Sequence, residues 1–397
     1  MARYDVFAAG SSVVPGIRNC GQSNHIVYVS ATDWYIFFIS NDNSDVYYQK
    51  SDNSGLTWNA PVLIKATTGC GIAVWFDKWT PSDAGTLIHV AYMETAGSDV
   101  FYRSLDTASD TLGTEITVFA GASFSANANT CLSITKTREP KIIVAFDGDG
   151  GTETGTYESD DYPVTAFSAL ATDINEATTD YYWLASGNET GTDEFYAIFF
   201  DRSAGELTLK YGNGSAAYTE VALGTLTNIA SSTVAPQVAI CIGTNSHTYV
   251  AWWTNQDNAA ADLNFIDITA GATVASLVKI LDSADDQGGV ALGTDTDNTD
   301  LYVFYLGKTD GSDTAFTSVS VNYRVSTDDG ATWGNETLLS TFNRPLTYIN
   351  CSLEGAGGII PVAYGGTEAG VLNMVNSASV ASSGGGNANI LHGSVVA

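Results

Sequence analysis

The sequence predicts an all-β fold made of seven repeats, on three observations. Short apolar runs close on an aromatic residue at near-constant spacing: Phe38, Tyr92, Phe146, Phe199, Trp252, Tyr305 and Tyr364, in steps of 54, 54, 53, 53, 53 and 59 residues. A fixed period of that size marks a repeat architecture. Longer strings recur with the same offset, as SDVYYQKSD (Ser44–Asp52) does in SDVFYRSLD (Ser98–Asp106). Each run is strand-length, rich in β-branched and aromatic residues, and bounded by Asn, Asp, Ser or Gly, with no 3.6-residue period.

Within the first repeat, residues 25–29, 33–39, 45–49 and 61–65 read as four strands. Four antiparallel strands per unit of about 50 residues make a propeller blade. The expected fold is a seven-bladed β-propeller, with six blades as the alternative count. Blade limits fall at about 20–67, 68–123, 124–175, 176–230, 231–283, 284–343 and 344–376, in one domain spanning 1–376. The last blade shows three clear strands: 349–353, 359–364 and 371–375. Residues 4–9 would close it, or alternatively 390–397. Residues 377–397 read as a Ser/Gly-rich tail.

Composition narrows the partners. The net charge is −29 with 15 basic residues, which repels phosphate backbones and anionic lipid. No stretch is apolar enough for a membrane span, and the first residues lack the pattern of a Sec signal. Five cysteines without a CxxC pair argue against a disulfide framework or zinc site; they read as small buried thiols of innermost strands.

Two repeats carry a distinctive turn after their third strand: SDNSGLTW (Ser51, Asn53, Gly55, Trp58) and STDDGATW (Ser326, Asp328, Gly330, Trp333). An Asx side chain there accepts backbone N–H bonds, and the glycine permits positive φ. The string resembles the Asp-box, or BNR repeat, of sialidase-like β-propellers. That resemblance implies a peripheral, structural role for the turns. It also implies a family of glycosidases alongside receptors, assembly factors and phage virion proteins without catalysis.

Enzymes of that family use an arginine triad, a Tyr–Glu nucleophile and an Asp acid/base. By resemblance, Arg18 stands near the first arginine and Asp45 near the acid/base. Arg344, followed closely by Tyr348, precedes the inner strand of the last blade, but no complete set is visible. Asp77, between Trp75 and Trp79 at the end of an inner strand, is the leading carboxylate for glycoside chemistry. Trp75, Trp79, Trp183 and Trp253 are the candidate sugar-stacking rings. No cofactor is implied; two acidic loops, with Asp147 and Asp149, and with Asp295 and Asp297, have the hard oxygen ligands calcium takes.

The expectation is a non-catalytic, extracellular or virion-borne propeller, in a phage tail or on a capsid, contacting protein or glycan. An exo-sialidase-like hydrolase is the alternative.

Overall fold

Each aromatic-closed run becomes the second strand of an antiparallel sheet in the computed structural model. These strands are Trp34–Ser40, Leu87–Glu94, Ile142–Asp147, Phe195–Asp201, Thr248–Trp253, Leu301–Gly307 and Ile360–Gly365. The structure describes residues 4–5, 13–14, 25–40, 44–121, 131–147, 154–174, 181–189, 192–201, 204–226, 238–254, 262–282, 288–307, 318–346, 348–365, 367–368, 371–372 and 376–380. Among them the one helical element is a single 3-10 turn, Asp77–Trp79.

The chain is a β-propeller of antiparallel, four-stranded blades. Six blades each use one continuous stretch of chain, in which the first strand pairs with the second, the second with the third and the third with the fourth. First strands of neighbouring blades pack on one another around the ring. The second strands are buried along their length, which explains unbroken apolar runs in place of alternation.

The last sheet is built differently. Tyr348–Cys351 and Ile360–Gly365 pair as expected, but the third position is taken by Asn376–Val380, and Tyr4–Asp5 pairs outside that strand. Six blades of the repeat design, and not seven equivalent ones, are what the structure shows. Val371–Leu372, expected as the third strand, pairs instead with Thr367–Glu368 in a separate two-stranded ribbon. Residues 377–380, expected as part of the tail, lie in a strand. Residues 390–397 lie outside the described residues.

Side chains of the innermost strands fasten the ring. Asn350 Oδ1 accepts the His25 N–H at 2.9 Å, and Ser352 Oγ accepts the Tyr28 N–H at 3.0 Å. Ser133 Oγ accepts the Leu184 N–H at 3.0 Å, joining the third blade to the fourth. Cys70, Cys131, Cys241 and Cys351 are buried on inner strands, and burial pushes the Cys70 thiol up to about 12. Farther out, a cation on a third strand reaches back to the preceding blade. Arg103 Nη1 donates to Ile64 O (2.7 Å), Lys210 Nζ to Ile174 O (3.0 Å) and Arg324 Nη1 to Ile280 O (3.1 Å).

The two Asp-box-like turns have the same internal bonding. Ser51 Oγ accepts the Gly55 N–H and Ser326 Oγ the Gly330 N–H, both at 2.8 Å. Asn53 Oδ1 accepts the Thr57 N–H and Asp328 Oδ1 the Thr332 N–H, again at 2.8 Å. Trp333 meets Phe265 of the fifth blade edge-on, with centroids 5.2 Å apart. Gly330 has φ +84°, and a Cβ there would stand 2.1 Å from the Phe265 ring. Gly330→Ala is therefore expected to cost about 1–3 kcal/mol through strain and overpacking, read from the urea midpoint.

Candidate functional site

In a four-stranded antiparallel blade, the first-to-second loop and the third-to-fourth turn lie on one face of the ring. The Asp-box-like turns are on that face, and so is the loop Asp77–Thr86. Two tryptophans shape its start: Trp75 and Trp79 pack edge-on at 5.8 Å. Trp75 Nε1 donates to Thr80 Oγ1 (2.9 Å), and Thr80 Oγ1 donates to the Lys136 carbonyl of the third blade (3.0 Å). The loop is thereby held against the end of the neighbouring inner strand.

Asp77 lies at the centre of a charged cluster beneath this loop. Its Oδ2 accepts the Leu87 N–H at 2.9 Å, which pins the return of the chain. Its Oδ1 accepts from Lys136 Nζ at 2.5 Å, His89 Nε2 at 2.9 Å and Tyr162 Oη at 3.2 Å. Lys136 Nζ also meets Asp83 Oδ2 at 2.6 Å and donates to Tyr162 Oη at 2.8 Å. The Tyr162 ring centroid is 4.2 Å from the same nitrogen, a cation–π distance. A Cβ at Gly85 would stand 2.1 Å from Asp77 Oδ2, so only glycine lets the loop close over the carboxylate.

The geometry fixes the protons. A carboxylate only accepts, so His89 carries its hydrogen on Nε2, and Nδ1 accepts from Tyr102 Oη at 2.7 Å. Burial pushes Asp77 up, but His89 and Lys136 overcome this and hold the carboxyl well below its ordinary value. Burial likewise works against the Lys136 ammonium, and Asp77 and Asp83 hold it above the usual lysine range. Burial pulls His89 down, so it stays neutral near pH 7.

The cluster is a variant of a repeated contact. Three residues before each closing aromatic stand Tyr35, His89, Ile143, Tyr196, Tyr249, Tyr302 and Pro361. In the first blade Tyr35 donates to Asp110 of the next blade, and in the fifth Tyr249 donates to Asp329 of the next at 3.1 Å. In the second blade a histidine replaces the tyrosine, and the next blade's turn presents Tyr162.

Above the cluster opens a cavity of about 450 Å³ lined by Asp77, Pro81, Asp83, Lys136, Arg138 and Tyr162, among others. Arg138 follows the inner strand Cys131–Lys136. Its Nη1 donates to Asn188 O of the fourth blade (2.6 Å), and Nη2 to Ser82 Oγ (3.4 Å). The rim thus joins three consecutive blades.

Of the residues singled out from sequence, Asp77 is in this cluster and Trp75 and Trp79 lie under it. The stacking role fails for all four tryptophans: Trp75, Trp79, Trp183 and Trp253 are at most 3% exposed and present no face to a sugar. Trp253 instead donates to Gly289 O of the sixth blade at 3.1 Å. Asp45 lies in a second-to-third turn, on the opposite face, and accepts the Thr67 N–H at 2.8 Å. Arg344 falls within the outer strand of the sixth blade, Thr337–Leu346, and Tyr348 opens the last sheet. Arg18 and Asp149 lie outside the described residues.

The acidic turns have structural uses. Asp295 Oδ2 accepts the Gly358 N–H and Asp297 Oδ2 the Gly357 N–H, each at 2.7 Å. Asp147 is buried at the end of a second strand. Among the described residues, no group of three or more His, Cys, Asp or Glu side chains is placed to hold a metal ion. Sequence reasoning missed Asp83, His89, Lys136 and Tyr162. The signal for His89 was present, as a titratable residue where four other repeats have tyrosine.

No protein-family model and no curated protein matches the chain. Solved structures do. An ulvan lyase, a polysaccharide lyase, superposes with TM-score 0.57 at 11% identity, over 94% of this chain and 96% of its own. The same lyase bound to -[GlcA(1-4)Rha3S]- gives 0.56 at 11%, over 94% of each chain. A fungal alcohol oxidase in complex with copper gives 0.53 at 9%, over 95% of this chain and 74% of its own. At these identities the likeness is one of fold.

Proposed function

We propose that this protein is a non-catalytic propeller that binds a glycan at the mouth of the cavity between its second and third blades. The observation that carries the reading is the division of labour in that cavity. Its floor is a charge cluster whose donors and acceptors are turned on one another, and its rim offers Arg138, Ser82, Pro81 and Pro140. Such a preformed mix of polar groups and proline rings suits a sugar. The ulvan lyase, which shares the fold, acts on a polysaccharide, and this supports the glycan class. With a net charge of −29, the surface disfavours a polyanionic glycan, so a neutral saccharide is the ligand we assign.

The same geometry does not favour hydrolysis. A glycosidase needs one carboxylic acid that stays protonated near neutral pH. Asp77 is held ionised, and Asp83 is tied to Lys136 and to the Gly85 N–H at 2.8 Å. We therefore set the exo-sialidase reading second. The turn bonding supports a place among Asp-box propellers. The setting we propose is a particle surface, such as a phage tail or capsid. Its acidic, turn-rich surface supports that setting.

A glycan array tests the binding. Arg138→Ala is expected to weaken the captured saccharide at least about tenfold, a loss of roughly 1.4 kcal/mol, with unchanged circular dichroism. Binding that survives Arg138→Ala undiminished, or turnover of a fluorogenic sialoside, would overturn the reading.

A further inference from the structure

We propose that Asn188 is a positioning residue, which moors on the fifth blade and from there aims the Arg138 guanidinium across the cavity mouth. Its consequence for binding rests on the saccharide reading above, whereas its hold on Arg138 does not. Arg138 comes from the third blade, and its Nη1 donates to the Asn188 carbonyl at 2.6 Å. Among the described residues no carboxylate forms an ion pair with Arg138, so neutral acceptors, Asn188 O and Ser82 Oγ, set its direction. A backbone carbonyl directs a cation only where the backbone itself is fixed, and the Asn188 side chain fixes it. Nδ2 donates to Thr269 O at 2.9 Å and to Ile268 O at 3.4 Å, both on the fifth blade. Oδ1 accepts from Tyr196 Oη at 2.7 Å. Two carbonyls on one side of the amide demand its NH2 there, so the amide has one orientation.

The repeat explains why an asparagine stands here. Tyr196 occupies the position from which Tyr35 and Tyr249 each reach an aspartate of the next blade. Those aspartates, Asp110 and Asp329, hold left-handed turn positions at φ 54° and 56°. The turn of the fifth blade has Gly271 at φ 51°, with no side-chain acceptor. A Cβ on Gly271 would lie 3.6 Å from Tyr211, whose ring packs on Tyr196 with centroids 4.8 Å apart. The glycine thus leaves a gap where the other two boundaries have their acceptor.

Asn188 fills the gap from the first-to-second loop of the fourth blade. It gives Tyr196 an acceptor with Oδ1, spans to the next blade with Nδ2, and leaves its carbonyl turned to Arg138. Burial and the Glu189 and Glu194 carboxylates push the Tyr196 hydroxyl up, which keeps it a donor to Oδ1. The residue after Arg138 is tied to the same loop, Glu139 N–H donating to Thr192 O at 2.9 Å. A contact that elsewhere only joins two blades is here extended to a third, and the extension ends on the one guanidinium of the cavity rim.

Modification of Arg138 by phenylglyoxal, followed by peptide mass spectrometry on the full-length, ligand-free protein, tests the hold. Asn188→Ala is expected to raise the rate at Arg138 about threefold or more, since one bond to a charged group loses its support. Asn188→Asp keeps the acceptor for Tyr196 and loses both donors to the fifth blade, and it should behave alike. Asn188→Ala with Gly271→Asn returns an amide to Tyr196 from the next blade, at a φ that asparagine tolerates. That pair should recover the urea midpoint and leave Arg138 fast. Affinity for the saccharide captured on the array should fall about fivefold in Asn188→Ala and show no further fall when Arg138→Ala is already present. An Arg138 rate unchanged in Asn188→Ala and Asn188→Asp, or restored together with the urea midpoint by Gly271→Asn, would overturn the proposal. Capture of no saccharide by the wild type would sink the glycan reading alone, because the phenylglyoxal rates still decide whether Asn188 holds Arg138.

Discussion

Phe146→Ala is expected to lower the unfolding free energy by about 3–5 kcal/mol, the range for deleting a fully buried phenylalanine. Phe146 has no exposed surface. Its ring lies 4.9 Å from Phe119 of the second blade and 5.7 Å from Tyr157 of its own. The second-strand backbone around it is paired on both sides, so the vacated volume has no easy way to collapse. Within their own blades Phe38 stacks on Tyr47 at 5.8 Å and Tyr92 on Phe101 at 5.6 Å, and Tyr305 meets Trp253 of the preceding blade at 5.9 Å. A double-mutant cycle of Phe146→Ala with Phe119→Ala should therefore show coupling of about 0.5–1.5 kcal/mol across the blade boundary. Urea denaturation of the four proteins measures both quantities. Strictly additive losses would mean that the two blades do not communicate through these rings.

Stability is expected to fall by about 3 kcal/mol between pH 6.5 and pH 4 on account of His25 alone. The residue is 2% exposed, and its Nε2–H donates to Ile72 O of the second blade at 3.1 Å. Burial lowers its pKa from 6.5 to about 4, with the Ile72 carbonyl opposing. The unfolded chain takes up a proton near pH 6.5, whereas the folded chain refuses it until about pH 4. Acid therefore favours the unfolded state throughout that window, and the contribution of neutral His25 is complete only above it. His89 is shifted in the same direction and adds to the slope. Urea midpoints at about pH 7 and about pH 4.5 should diverge for the wild type and lie closer together for His25→Gln, with His89 supplying part of what remains. Equal slopes in both proteins would remove His25 as the cause.

The repeat was legible because burial on both faces writes an unbroken apolar run, and an aromatic residue ends each one. The last sheet was not. Asn376–Val380 reads NSASV, with no hydrophobic pattern, and it holds its place through backbone pairing with Ile360–Gly365. Backbone pairing leaves no trace in side-chain chemistry. The site divides along the same line. Asp77 stood out because two tryptophans flank it. Its partners Lys136 and Tyr162 are 59 and 85 residues away, on another blade, and nothing local marks either as its neighbour. The tryptophans misled because the same ring that stacks on sugars fills the gap between strands.

The cations at Arg103, Lys210 and Arg324 share a direction: each donates backward, to a carbonyl of the blade that precedes it in the chain. A blade that has just formed ends with an acceptor waiting, and the next blade brings the donor with it. Growth of the ring in the order of synthesis thus needs no rearrangement of what has already docked, and each addition closes over a short stretch of chain. At these three boundaries the later blade therefore supplies the cation that satisfies a carbonyl of the earlier one.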